Sequence, residues 1–462
     1  FGNSSQSASG WVIFEAGSEI FYLGGYSPHG SGTNYSAIKI EPGNVWHHRA
    51  DQTVAPTGGN FFNKQSYGDI SVENNAPLIA TGSIYRIGNL TVNTGSTFTT
   101  HSSGQTAIAG NLTVNGMLIA PAASTNEILF NGTSTQSIAG TGTIDVPGLR
   151  VSDMATVTLN KNIIVSDDVT IFGKMNFADK QITGAVTLDA KGINAPVIGA
   201  GTTVMGSNVI TAHSGFGTAA IGQSISGAGI PANTIVINVS AADDEIIISN
   251  AATASGAGVV LTTTSAGATL QTANTNGFDP ATGSVVTSGN MTFEDDINYV
   301  IDGPTTWPFG VTTGSAGNNV NAGSVDVNAD ITVNKGVTIK NYLLINGKMT
   351  LRPADVVHIL AGGDITGTFG ATKYIATDYV TGTGVQSMVQ FDGISSAKTI
   401  PVGTVNYYLP ATITPASSSD FTVAVFEGIT TNGLLNGTAF TPTQRLRVVN
   451  AVWNVNRLSG SG

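Results

Sequence analysis

The sequence predicts an all-β protein: a parallel β-helix (β-solenoid) with an inserted small β module and a C-terminal β-sandwich. Three observations lead there. The hexapeptide GNLTVN stands at 88–93 and again at 110–115, and a looser relative, YGDISV, begins at Tyr67. TVTLNKNIIVSDDVTIFGKMNF (156–177) aligns without a gap on DITVNKGVTIKNYLLINGKMTL (330–351). Short alternating segments bounded by Gly or Asn return every 20–26 residues, as strands would.

A period of that length suits a coil of three short strands at about 3.3 Å per residue. In GNLTVN, Leu90 and Val92 share one face and Thr91 takes the other; Leu112 and Val114 repeat the arrangement. Coils stacked in register would bury Leu, Val and Ile and leave Thr and Asn outside. An antiparallel sandwich, whose strands return every 8–12 residues, is the alternative. Helix is set aside, because 58 glycines and no sustained 3.6-residue period argue against it.

Residues 1–204 read as N-terminal coils, in which IFEAGSEIFY (13–22) is echoed by KIEPGNVWHH (39–48). Residues 205–264 break the rhythm with their own strand-and-turn grammar. They separate segments that otherwise match, so an independent module projecting from the solenoid is expected. Coils resume over 265–352. From 353 to 462 the segments lengthen, ending in YLPATITPASSSDFTVAVFEGI (408–429), and predict a sandwich. Phe1 follows no Met and no leader-like segment, so the chain reads as a processed product or a piece of something longer.

Composition excludes several functions. Only 10% of residues are charged, against roughly 25% in ordinary domains, while 41% are hydrophobic. That is a folded chain with a Thr/Asn/Ser surface rather than a disordered one. A net charge of -11 and the lack of a basic run argue against nucleic acid. No stretch of 18 apolar residues predicts a membrane span. With no Cys, disulfides, thiolate metal sites and Cys nucleophiles are excluded.

ILFNGTSTQSIAGTGTIDVPGLRVSDMATVTLNKNIIVSDDVTI (128–171) resembles repeat segments of large secreted surface proteins of Bacteroidota. VIFEAGSEIFYLGG with IEPGNVWHHR looks like the opening coils of that group, and TIPVGTVNYYLPATI (399–413) like the sandwich that often follows. SISGAGIPANTIV is similar to a small β module of bacterial and phage fibre proteins. The resemblance implies an extracellular, cell-surface protein exported by type IX secretion, through a signal outside this chain.

Candidate sites are few. The acidic clusters Asp167–Asp168, Asp243–Asp244–Glu245 and Glu294–Asp295–Asp296 read as corners or turns, because adjacent strand residues face opposite ways. Calcium is the ion that Asp243, Asp244, Glu294, Asp295 and Asp296 could hold, although no EF-hand or GGxGxDxUx repeat is present. His47–His48 reads as a surface strand without a third metal ligand. No GxSxG elbow and no catalytic set is evident, and no other cofactor is implied. Eight of the 33 aromatics fall in the first 50 residues. An aromatic ladder inside terminal coils is the commoner use of such residues; the glycan-stacking alternative would fall to Trp11, Tyr22 and Trp46.

The function expected is therefore that of a non-enzymatic structural or adhesive protein. It would form a stiff stalk or fibre, contact extracellular glycans or proteins, and assemble into oligomers or fibres. A carbohydrate-active β-helix enzyme (a polysaccharide lyase or glycosidase) would need acidic or basic side chains clustered on one solenoid face, and none is evident. A phage tail-fibre segment would be supported by trimerising coiled coils, which are absent.

Overall fold

The two GNLTVN copies lie side by side. The computed structural model describes residues 12–14, 17–22, 38–40, 44–49, 65–240, 243–307, 320–380, 384–428, 430–432 and 437–459. In it Leu90–Val92 and Leu112–Val114 pair in parallel, with Leu90 opposite Leu112, Thr91 opposite Thr113 and Val92 opposite Val114. The four apolar side chains are buried and the threonines face outward. Burying each Leu or Val contributes about 1.5–3 kcal/mol relative to exposure. The flanking residues hold the register. Asn89 Oδ1 accepts from the Asn111 amide at 2.7 Å, and Asn111 Oδ1 accepts from the Ser137 amide at 2.9 Å. Gly heads each copy because the coils touch there. The Gly110 amide donates to the Gly88 carbonyl at 2.7 Å, and a Cβ on Gly110 would sit 2.6 Å from that oxygen.

The chain is nearly all β, 2% helical, with a parallel β-solenoid of about 14 turns. It divides into two compact units: Phe1–Asn176 with Lys180–Ala268 and Thr287–Asn290, and Phe177–Asp179 with Thr269–Val286 and Met291–Gly462.

From Asp69 to Ala190 the coils of the first unit have three faces. One runs in parallel through Val45–Arg49, Asp69–Glu73, Leu90–Val92, Leu112–Val114, Thr135–Ala139, Thr156–Leu159 and Lys174–Asn176. A second stacks Pro77–Ile79, Thr97–Thr99 and Met117–Ile119. The third stacks Ile84–Ile87, Gln105–Ile108 and Glu127–Phe130. The nine-residue strands Thr143–Val151 and Ile163–Ile171 serve two faces, because their pairing shifts register midway.

Residues 197–264 form a six-stranded sheet paired throughout in antiparallel fashion. Part of it packs against the solenoid. Ile210, Ile221, Ile225, Val236 and Leu261 share one buried cluster with Tyr85, Ala107 and Leu129 of the third solenoid face. Those three residues form an apolar stripe on the outside of successive coils. Leaving it in water would cost more than laying the sheet across it.

In the second unit, Thr269–Thr272, Ile297–Ile301, Val320–Val327, Val337–Ile345, Val356–Ile359 and Met388–Ile394 stack in parallel. A second face holds Thr305–Trp307, Ile331–Val333, Met349–Leu351, Ile375–Ala376 and Val402–Gly403. Val337–Ile345 occupies the same nine positions of the ungapped match as Ile163–Ile171 and shifts register in the same way. Phe278, Phe293, Tyr299 and Trp307 fill the interior edge to face, with centroids 5.4 Å apart for Tyr299–Trp307. Parallel pairing therefore runs past 353, where a sandwich was expected to begin, and reaches Gly403. Antiparallel pairing follows, with Ser419–Glu427 between Met388–Ile394 and Ala451–Ser459. Two-residue strands such as Ile375–Ala376 are too short to show a period in sequence.

Candidate functional site

Alternation along Val45–Arg49 turns Trp46 and His48 inward and His47 and Arg49 outward. Trp46 is 2% exposed and meets Tyr67 edge-on, centroids 6.4 Å apart. It is a core residue, as the aromatic-ladder reading expected, and the inward register of the strand removes it from the glycan-stacking candidates. Trp11 and the Tyr22 side chain lie outside the described residues. His48 Nε2 donates to the Pro77 carbonyl at 3.1 Å, and burial pushes its pKa down. The two histidines thus diverge and form no joint metal site.

The same coils do present Phe21. It pairs in register with His47 and is 52% exposed. The two rings stack with centroids 4.5 Å apart and planes 9° from parallel. The Arg49 guanidinium carbon lies 6.0 Å from the Phe21 centroid. From the next coil, Glu73 accepts from His47 Nδ1 at 2.7 Å and Ser71 Oγ at 2.6 Å, and faces Arg49 Nε at 3.6 Å. Burial opposes ionisation of Glu73, yet the Ser71 and His47 hydrogen bonds and the Arg49 charge together hold its pKa below the usual range. Phe21 was one aromatic among many in sequence. The echo of 13–22 in 39–48, which sets Phe21 against His47, was the signal that could have found it.

A second cluster overturns the expectation that no face gathers acidic and basic groups. Glu127, Gly148 and Asp168 occupy one column of three successive coils. A Cβ on Gly148 would lie 2.8 Å from Glu127 Cγ and 2.9 Å from Asp168 Oδ1, so the two carboxylates flank the gap that glycine leaves. Arg150 holds Glu127 through two hydrogen bonds of 2.8 Å, and both side chains are largely buried. Burial first, then the Glu127 charge, raise the Asp168 pKa to about 6 against the pull of Arg150, with Asp167 adding to the rise. Residues 127 and 168 are far apart in sequence and meet only through coil register. Asp167 lies at the register shift, as the corner reading expected.

This cluster also anchors the antiparallel sheet. Arg150 Nη1 donates to the Ile221 carbonyl at 3.1 Å. Asp153 accepts from Ser224 Oγ at 2.5 Å and the Ala266 amide at 2.7 Å, and its own amide donates to Gly222 at 2.8 Å.

The proposed calcium ligands take turn positions. Asp243 accepts from Ser240 Oγ at 2.8 Å, and Asp244 adopts φ 54°. Asp295 accepts from Asn321 at 3.1 Å, Asp296 pairs with Lys340 at 2.6 Å, and Glu294 directly follows the strand Met291–Phe293. Among the described residues, no three His, Asp or Glu side chains converge as a metal cage. An open groove of about 410 Å³ lies on the second unit, lined by Thr275, Thr306, Thr332, Thr350, Asp330 and Lys348. Register aligns Thr306, Thr332 and Thr350 on successive coils.

No protein family matches the chain, nor does any curated protein or solved structure. The class defined here is the parallel β-solenoid, a scaffold that serves enzymes and non-enzymes alike. Among the described residues, no helix is long and apolar enough to cross a membrane.

Proposed function

We propose that this protein is a non-enzymatic structural or adhesive surface protein, working outside the cell as a stiff stalk or fibre. The observation that supports the reading best is the in-register ladder itself. Each coil adds about 4.8 Å of length, inward columns are apolar, and outward columns such as Ser71, Thr91 and Thr113 are small and hydroxylated. Such a surface suits weak contacts with glycans or proteins that gain strength when copies are clustered. Low charge and the resemblance to secreted Bacteroidota repeats favour a place at the cell surface, reached by type IX export. The test is protease shaving and antibody labelling of intact source cells. Surface labelling is expected, and a purely intracellular pool would refute the reading.

A second reading, a carbohydrate-active enzyme, is favoured by one observation, the Glu127–Asp168 pair beside Arg150. A pair of neighbouring carboxyl groups is what glycoside hydrolysis uses. Here, however, Glu127 is engaged at both oxygens by Arg150, and Arg150 in turn holds the overlying sheet. A polysaccharide panel followed for reducing ends and unsaturated products separates the readings. No turnover is expected, whereas turnover abolished by Asp168→Asn or Glu127→Gln would establish the enzyme.

A further inference from the structure

We propose that the threonine groove of the second unit binds one linear, neutral polysaccharide chain laid along the solenoid axis. The inference rests on the surface-protein reading and names a ligand for it. In Thr305–Trp307, Ile331–Val333 and Met349–Leu351 the two outer residues are buried, so alternation turns Thr306, Thr332 and Thr350 outward. Parallel register sets the three side chains in one column, about 4.8 Å from coil to coil. Among the described residues their hydroxyls make no hydrogen bond within the chain, whereas those of Thr272 and Thr305 are engaged by Ser284 and the Thr306 carbonyl. The column stands in the open groove of about 410 Å³, where Asp330 and Lys348 also face the space. Both charged groups are braced: Asp330 Oδ1 accepts the Lys348 amide at 2.8 Å, and Lys348 Nζ donates to the Val405 carbonyl at 3.5 Å. Ala376 and Gly403 continue the column, and a Cβ on Gly403 would collide with the Tyr407 carbonyl, so the turn after Gly403 crosses the column and ends the ladder.

This lining selects among ligands. Ile331–Val333 and Met349–Leu351 are paired on both sides, which leaves no free backbone edge for a peptide strand to extend. One Lys beside one Asp supplies no net positive charge for phosphates. Like hydroxyls at an even spacing suit a ligand that itself repeats along a line. A neutral polysaccharide does so, with hydroxyls that both donate and accept and C–H groups that pack on threonine methyls.

The test uses the full chain with cellohexaose, xylohexaose and mannohexaose in isothermal titration calorimetry. Wild type should bind at least one of them, and should bind it at least about tenfold more tightly than the methyl glycoside of the same sugar, which reaches one rung instead of three. Thr332→Val keeps the shape and the methyl group, removes one hydroxyl, and should weaken binding about fivefold. Replacing Thr306, Thr332 and Thr350 together by Val should abolish it, while Thr91→Val on the first unit should bind as wild type does. Urea unfolding checks that the variants are folded; if the triple variant is not, Thr332→Val decides alone. Absence of binding by wild type, affinity unchanged in a folded groove variant, or equal weakening by Thr91→Val would overturn the groove. Any of these, with surface labelling of intact cells retained, would leave the surface role standing; binding lost in the groove variants together with a purely intracellular pool would keep the groove and refute the surface reading.

Discussion

Replacing Asp168 by Asn should stabilise the protein at neutral pH and do so less and less as the solution is acidified. Burial, then repulsion by Glu127, raise Asp168 to about 6, whereas an ordinary aspartate titrates near about 3.9. A difference of about two pH units corresponds to about 3 kcal/mol. Asp168 is partly exposed, and solvent screening reduces the expected effect to about 1–2 kcal/mol. The sign follows from proton binding. The folded chain holds this proton more tightly than the unfolded chain, so the contribution to stability is fully present below about pH 4 and lost as pH rises through about 6. Asn is neutral throughout and keeps the shape of the side chain. Urea unfolding of wild type and Asp168→Asn at pH 7.5, 6 and 4 measures the difference, provided the slope is unchanged. Asp168→Asn should lead by about 1–2 kcal/mol at pH 7.5 and approach wild type at pH 4. A difference that does not vary with pH, or a variant weaker than wild type at pH 7.5, would refute the reasoning.

Gly110→Ala would press a Cβ against the Gly88 carbonyl and Asn89 Oδ1 and should cost about 1–3 kcal/mol in urea unfolding; Gly217→Ala, which meets nothing within 4 Å, should stay within about 0.5 kcal/mol. Trp46→Ala should lose about 3–5 kcal/mol in urea unfolding as a core truncation. Arg150→Ala strands a largely buried Glu127 carboxylate and should cost about 3–5 kcal/mol; hydrogen exchange should show residues 217–224 loosening first.

The coils were legible because their rule is local. Leu90 and Val92 alternate with Thr91, and an identical hexapeptide one coil later leaves in-register pairing as the simplest use of the repeat. The match of 156–177 with 330–351 likewise marked two strands that bend at the same position. What was not legible depends on residues brought together by stacking. Composition alone leaves the face of Trp46 open, and the register of Val45–Arg49 turns it inward. Glu127 and Asp168 meet only because Gly148 intervenes between their coils, and nothing in the local sequence marks a gap. Tyr85, Ala107 and Leu129 sit on the outward register of separate coils, so their apolar stripe, and with it the docking of 197–264, emerges only once those coils are aligned. The end of the parallel ladder was placed too early for the opposite reason, since strands as short as Val402–Gly403 carry no pattern to read.

The claim on which the rest depends is that the repeated hexapeptides lie against one another in register. Because the chain contains no Cys, an engineered pair reports on this without background. Thr91→Cys with Thr113→Cys places two thiols on directly opposed outward positions, about 4.8 Å apart across neighbouring strands and within the span of about 4.4–6.8 Å that a disulfide bridges. Thr91→Cys with Asn115→Cys displaces one partner by two residues, about 6.6 Å along the strand. Mild oxidation followed by peptide mass mapping should find the first pair cross-linked and the second free. Cross-linking of the displaced pair instead, or none in the opposed pair, would contradict the ladder and the functional reading built on it.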